Sequence, residues 1–178
     1  LLNLGGSILI AIPALSGSIA DYILHHIAMG NNGIITGATT TCHNKDDRSQ
    51  VKELLKNVSA KEVLADPGYD GENIYQIIRA KGMKPTIRPP NHLVAKKAKT
   101  ERQQSAAYQQ NKGYHAWRSK NKYGRRELVE NTFFRFKSSF GSKFLSRDGD
   151  NMKNEMTIKC QLLNKMFEIG KPISVRVA

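Results

Sequence analysis

The sequence is most informative between residues 123 and 137, which read Tyr123-Gly124-Arg125-Arg126-Glu127-Leu128-Val129-Glu130-Asn131-Thr132-Phe133-Phe134-Arg135-Phe136-Lys137. On an α-helix at about 100° per residue, Arg126 and Lys137 both lie within about 40° of Glu130, so one carboxylate and two cations share a helix face. The pattern predicts a helix over residues 125–140 that docks by one side and presents a charged site along another. The docking side is an apolar stripe with the spacing i, i+4, i+7, i+11: Val129, Phe133, Phe136 and Phe140.

The spacing Y-x2-R-x3-E-x6-K of these residues has two interpretations. Arg126 and Glu130 alone fit an ordinary i, i+4 ion pair on a solvated face, worth roughly 0.3 kcal/mol. The full spacing resembles the signature of bacterial insertion-sequence transposases of the insertion sequence four/five type, which have a DDE catalytic domain. Residues 141–147 (GSKFLSR) and 170–175 (GKPISV) resemble the end of the same family. The resemblance implies an α/β fold, a ribonuclease H-like mixed sheet with flanking helices.

The resemblance also assigns roles to the residues of the signature. It implies that Glu130 is the third catalytic carboxylate and a metal ligand. It implies that Tyr123, Arg126 and Lys137 engage DNA phosphates or orient Glu130. The implied cofactor is Mg²⁺, with Mn²⁺ as an alternative.

Asp66 is the best candidate for a second catalytic carboxylate and metal ligand. It follows a predicted buried strand, and α/β sheets bind ligands at the carboxyl ends of their strands. The stretch Ala65-Asp66-Pro67-Gly68-Tyr69-Asp70 also resembles the family's A-D-x-x-Y-D context, apart from Pro67. A turn or helix-cap role is the alternative for a strand-end aspartate, and we predict that Asp70 caps the next helix.

The first aspartate of the family has no counterpart that we can assign. Residues 1–24 form an atypical apolar segment of unclear status, interrupted by glycines and Pro13, and poorly suited to span a membrane. Asp21 precedes the predicted hairpin by only a few residues, too close to lie on an earlier strand of full length. We therefore expect residues 25–178 to form a partial DDE-type catalytic domain, N-terminally incomplete and weakly active or inactive.

Local patterns predict the element order β-β-α-β-α-β, a linker and two helices, which indicates a sheet with helices packed on it. The strands are predicted at 25–41 (a hairpin), 62–65 and 83–88, and the early helices at 46–58 and 72–81. The first of these helices should bury Val51, Leu54, Leu55 and Val58. The last helix, 151–169, should bury Met152, Met156, Leu163, Met166 and Phe167.

The charge of the chain is high and unevenly placed. The net charge is +13, yet residues 1–43 contain no Lys or Arg. Residues 91–122 read as a mobile, partly helical basic connector, with Tyr108, Tyr114 and Trp117 among the cations. Such a mixture fits a nucleic-acid surface, through phosphate neutralisation and base stacking, and fits a solvated linker equally well. The two cysteines form no C-x-x-C pair, which favours a reducing cytosol over a zinc or disulfide framework.

Three functions are consistent with the sequence. The leading hypothesis is DNA transposition, in which element ends are cut and their 3′-hydroxyls are joined to target DNA by metal-assisted phosphoryl transfer. The alternatives are a non-catalytic basic nucleic-acid-binding protein and a ribonuclease H-like nuclease that only hydrolyses. The partners expected from the resemblance are double-stranded DNA and a second copy of the chain, in the bacterial cytoplasm and without a membrane.

Overall fold

The computed structural model describes residues 2–3, 6–11, 23–30, 32–42, 46–93, 98–141 and 143–170. A five-stranded mixed sheet forms its centre, and a separate two-stranded parallel pair joins β1 to β5. The strands are β1 (Leu2–Asn3), β2 (Ser7–Ala11), β3 (Ile23–Gly30), β4 (Ile35–Cys42), β5 (Val58–Ser59), β6 (Glu62–Ala65) and β7 (Lys84–Ile87).

The strand order of the main sheet is β4-β3-β2-β6-β7. The hairpin strands β3 and β4 are antiparallel, β3 is antiparallel to β2, and β2, β6 and β7 are parallel to one another. This mixed sheet with flanking helices is a ribonuclease H-like α/β fold, as the sequence predicts.

Five helices accompany the sheet. They are α1 (Val51–Leu54), α2 (Glu72–Ala80), α3 (Glu101–Lys120), α4 (Glu127–Phe140) and α5 (Gly149–Ile169). Short 3-10 turns cover Asp47–Gln50, Pro67–Tyr69 and Tyr123–Arg126. Helix α3 is broken at Gly113, whose φ of 82° and ψ of 163° are not helical.

The two faces of the sheet carry separate apolar cores, because successive side chains of a strand point to opposite faces. Ile8, Ile10, Val63 and Ala65 pack with α1 and α2 on one face. Leu9 and Leu64 pack on the other face, and their partners there come from α3, α4 and α5. These partners include Trp117, Val129, Phe133, Phe136, Met156, Cys160 and Leu163.

The central strand of the sheet is β2, which lies in the segment that the sequence analysis left outside the fold. Its residues Ile8, Leu9 and Ile10 are fully buried, between β3 on one side and β6 on the other. An apolar run without alternation is what a strand covered on both faces contains. The sequence analysis placed no strand before the hairpin, whereas residues 7–11 form one in the middle of the sheet.

Most other predicted elements are confirmed. The hairpin turns through Gly33, whose φ of 84° favours glycine. Asp46 caps the first helical segment, but that segment ends at Leu54, and Val58 lies in β5. The predicted burial of Met166 is wrong, since 52% of its surface is exposed. Met166 lies about 80° around α5 from the buried Met156, at the margin of the apolar side.

The segment predicted as a basic connector contains an ordered, packed helix. The side chain of Thr100 caps α3 by accepting from the backbone N–H of Gln103, and the side chain of Gln103 bonds back to Thr100. Trp117 is buried in the core beside the sheet, and its indole N–H donates to Ser105 Oγ at 2.8 Å. Few side chains of α3 are buried in the core, so its sequence shows no clear apolar period.

Candidate functional site

Asp66 lies directly after β6, at the carboxyl end of the parallel part of the sheet. Side chains two residues apart on a strand point to the same face of the sheet. The side chain of Asp66 therefore lies on the same face as those of Glu62 and Leu64, and on this face Leu64 packs in the core to which α4 contributes. The chain then leaves the sheet through the 3-10 turn Pro67–Tyr69, in which Asp66 O accepts from the backbone N–H of Tyr69. Asp66 is thereby presented towards α4 and the turn that precedes it.

Tyr123 links the turn that precedes α4 to the end of β6. Its hydroxyl donates to the backbone carbonyl of Ala65 at 2.9 Å, next to Asp66. Its ring is buried and packs edge-on against Trp117, with centroids 4.9 Å apart. Burial raises the pKa of the Tyr123 hydroxyl well above its usual range. The hydroxyl therefore acts as a neutral donor to the strand end, which favours a positioning role for Tyr123.

Arg126 brings the two candidate carboxylates together. One guanidinium nitrogen lies 2.7 Å from Asp66 Oδ1, and the other lies 2.5 Å from Glu130 Oε1. The Asp66 and Arg126 side chains are each 18% exposed, whereas Glu130 is 54% exposed at the first turn of α4. Burial opposes the charge on Arg126, but the two carboxylates outweigh it and raise the pKa of the guanidinium.

A second arginine holds the opposite end of β6. Arg125 donates to Glu62 Oε2 at 2.8 Å and to Ser7 Oγ at 2.6 Å, and Thr86 donates to Glu62 Oε1 at 2.7 Å. Burial opposes ionisation of Glu62, but the bonds from Thr86 and Arg125 prevail and lower the pKa of its carboxyl. The sequence analysis missed this network because its members come from β2, β6, β7 and the turn.

Asp70 has a different partner from the one predicted. The N-cap of α2 is Gly71, without a side-chain cap bond, so the predicted capping role is wrong. Instead Arg102 donates three hydrogen bonds to the Asp70 carboxylate, at 2.6–2.9 Å. Local sequence favours a cap, but a cation 32 positions away neutralises the buried carboxylate. This pair fastens the loop after Asp66 to the start of α3.

Lys137 lies further along α4 than the other signature residues. It is seven residues beyond Glu130, about 10 Å along the helix axis. The structure thus brings Asp66, Tyr123, Arg126 and Glu130 to one place, and puts Lys137 two turns away on the same helix.

The segment after α4 is held by Glu155 of α5. This carboxylate accepts from the backbone N–H groups of Leu145 and Ser146, and Lys159 lies 2.7 Å from it. Burial opposes ionisation, but these bonds prevail and lower the pKa of Glu155 to about 2. Leu145 and Ser146, in the first of the two stretches that resemble the family's ending, are therefore fixed against α5. Residues 171–175 of the second stretch lie outside the described residues.

One of the strands that pair with β6 beside Asp66 is β2. Ile10 pairs with Ala65, so Ala11 is the next residue along in register, and none of the five residues of β2 is acidic. Asp21 lies outside the described residues. Within the described part of the chain, no group of three His, Cys, Asp or Glu side chains could hold a metal ion.

The donors that are present nevertheless match Mg²⁺ in kind. Mg²⁺ takes hard oxygen ligands, commonly one or two carboxylates completed by water and phosphate oxygens. Asp66 and Glu130 supply two carboxylates from separate elements, and both pair with the guanidinium of Arg126. Any ion held there would share these oxygens with Arg126.

Among the described residues, no helix combines the length and the apolar composition that a membrane span requires.

Residues 18–165 match the family model described as the transposase DDE domain. The matched range includes the hairpin, Asp66 after β6, and the whole signature from Tyr123 to Lys137. The chain therefore belongs to the transposase DDE domain family.

Proposed function

We propose that this chain is the catalytic domain of an insertion-sequence transposase of the four/five type. It acts on double-stranded DNA, cutting the ends of the element and joining the freed 3′-hydroxyls to target DNA. Family membership supports transposition chemistry in general. The cutting and joining steps, and the residues that perform them, are our proposal.

The observation that carries the proposal is the convergence of Asp66 and Glu130 on Arg126. These carboxylates are 64 positions apart, one at the end of a buried strand and one on a helix. A surface ion pair needs no such arrangement, since Arg126 and Glu130 could pair on an isolated helix. Phosphoryl transfer does need carboxylates from separate elements at one point, with cations nearby to receive phosphate charge.

In this proposal Asp66 and Glu130 hold Mg²⁺ or Mn²⁺. When bound, the metal neutralises charge on the scissile phosphate and orients the attacking and leaving oxygens. Arg126 sets the spacing of the two carboxylates and contributes positive charge. Tyr123 fixes the end of β6 through the Ala65 carbonyl, and Lys137 contacts a DNA phosphate further along α4.

The test is strand cleavage by Glu130→Gln. We expect the variant to lose Mg²⁺-dependent nicking of element-end DNA, because an amide is a poor metal ligand, and to retain DNA binding. The control is Glu168→Gln, which removes an equally exposed carboxylate from α5, far along the chain from the signature. Equal nicking by wild type and Glu130→Gln would refute the assignment.

A second candidate function is supported by the composition of β2. Because that strand carries no carboxylate beside Asp66, the chain has two of the three expected acids in the described site. A protein of this kind would bind DNA through its cations without cleaving it. Steeply salt-dependent binding that does not respond to Mg²⁺, with no nicking by wild type, would favour this alternative.

A further inference from the structure

A basic cavity lies where the end of α3 meets the turn that precedes α4. Its volume is about 320 Å³. It adjoins the signature turn, but apart from the turn itself none of its residues belongs to the site described above. The lining residues are His115, Arg118, Ser119, Lys122, Gly124 and Arg125.

Both arginines of the cavity are held in fixed positions. Arg118 pairs with Glu127, and its guanidinium lies against the backbone of Gly124. A Cβ at Gly124 would lie 3.1 Å from a guanidinium nitrogen of Arg118, so glycine leaves room for this close packing. Arg125 donates from Nε to the backbone carbonyl of Lys122 at 2.9 Å, besides its bonds at β6. The cations are therefore ordered without a ligand.

Lys122 supplies positive charge that no carboxylate among the described residues neutralises. Glu127 and Glu62 offset Arg118 and Arg125, but among the described residues no carboxylate lies within ion-pair distance of Lys122. Its backbone takes the left-handed conformation, with φ of 47° and ψ of 37°, which is uncommon for a residue other than glycine. The chain thus turns sharply at Lys122, and the lysine borders the cavity.

Strand β6 is contacted at one end by an arginine of the cavity and at the other end by the arginine of the carboxylate site. Arg125 reaches Glu62 at the first residue of β6, whereas Arg126 reaches Asp66 just past its last. These two contacts are four residues apart on an extended chain, about 13 Å. This separation is larger than the axial rise of about 3.4 Å between successive phosphates of one DNA strand, so the two places suit different phosphates.

We propose that this cavity binds a backbone phosphate of DNA other than the one at the bond that Asp66 and Glu130 address. Lys122 and His115 contact the phosphate oxygens, and the two arginines frame the pocket. This inference rests on the proposed function only in that the bound strand is the one presented to the carboxylates. Phosphate contacts position a nucleic acid without reading its sequence, so the pocket sets the path of the strand.

The test compares Lys122→Gln with Lys153→Gln in binding of a fluorescein-labelled duplex of arbitrary sequence, measured by anisotropy over a range of salt concentrations. Both variants remove one exposed lysine, and Lys153 lies on α5 beside Asp150. Each phosphate contact contributes about 0.9 to the slope of log affinity against log salt. We expect Lys122→Gln to lower the slope by about 1, equivalent to roughly eight-fold weaker binding at 0.1 M salt. Lys153→Gln should leave both unchanged, and Lys122→Arg should restore them.

The outcomes separate this inference from the proposed function, because binding and nicking are measured independently. Equal slopes for wild type and Lys122→Gln would overturn the inference, while Glu130-dependent nicking would still stand. If wild type does not nick but its binding depends on Lys122, the proposed function fails and the phosphate pocket is supported.

Discussion

Arg102 neutralises a carboxylate that the fold has removed from water. Only 2% of the Asp70 side chain is exposed, and 21% of the Arg102 side chain. We expect Arg102→Ala to lower the free energy of unfolding by about 3–5 kcal/mol, because it leaves a buried charge without a partner. With a urea m-value of about 2 kcal/mol per M, the unfolding midpoint should fall by about 1.5–2.5 M.

The matched control is Arg79→Ala, which breaks the other ion pair at the start of α3. Arg79 donates two hydrogen bonds to Glu101, but these side chains are 51% and 37% exposed. Its loss should cost less than about 1 kcal/mol, since solvent screens an exposed pair. Comparing the two variants therefore isolates the effect of burial from that of removing an arginine near α3.

Equilibrium urea unfolding, followed by far-UV circular dichroism and Trp117 fluorescence, measures both variants. Trp117 is the only tryptophan and is buried beside the sheet, so it reports on the junction with α3. Combining Arg102→Met with Asp70→Leu should recover much of the loss, because two apolar side chains can replace a buried pair. Equal midpoints for Arg102→Ala and Arg79→Ala would refute the reasoning.

Two further predictions concern stability. The pKa of Glu155, about 2 in the folded chain, lies below the unfolded value of about 4.3. Its contribution is therefore complete above about pH 4.3 and disappears as the pH falls towards 2. Glu155→Gln should flatten this acid limb in urea midpoints measured from pH 7 to pH 2, and an unchanged limb would contradict the reasoning. Gly37→Ala should cost about 1–3 kcal/mol, because its Cβ would lie 2.8 Å from the backbone oxygen of Leu54. Gly149→Ala, where a Cβ meets nothing within 4 Å, is the control, and thermal melts that shift equally would count against the predicted clash.

The elements that the sequence predicts well are those with strong local patterns. The apolar stripe of α4 is a clear example, since Val129, Phe133 and Phe136 are all buried. The position of Asp66 at the end of β6 is predicted correctly because a short apolar run stops at proline and glycine. These features depend on residues within a few positions of one another, so they do not require knowledge of the tertiary fold.

The elements that were missed depend on distant partners. β2 is buried on both faces and lacks the alternation that identifies a surface strand, so residues 7–11 resemble a leader or core segment equally well. Asp70 looks like a helix cap until Arg102 is placed beside it, 32 positions later. Glu62 and Arg125 meet only because the turn lies across β6. In each case a contact of long sequence separation decides the role.

The spacing of the signature itself has a structural cause that a single helix does not provide. Tyr123 and Arg126 lie in a 3-10 turn, where residues three apart are aligned on one side. Glu130 lies in the α-helix that follows, where residues four apart share a face. The interval of three followed by four therefore matches the change from 3-10 to α geometry at Glu127. This change aims the Tyr123 hydroxyl at Ala65, Arg126 at Asp66, and Glu130 at Arg126. Tyr123 and Arg126 contact one strand end, and Glu130 contacts Arg126. The spacing of these three residues therefore carries information about the tertiary fold within a stretch of only eight residues.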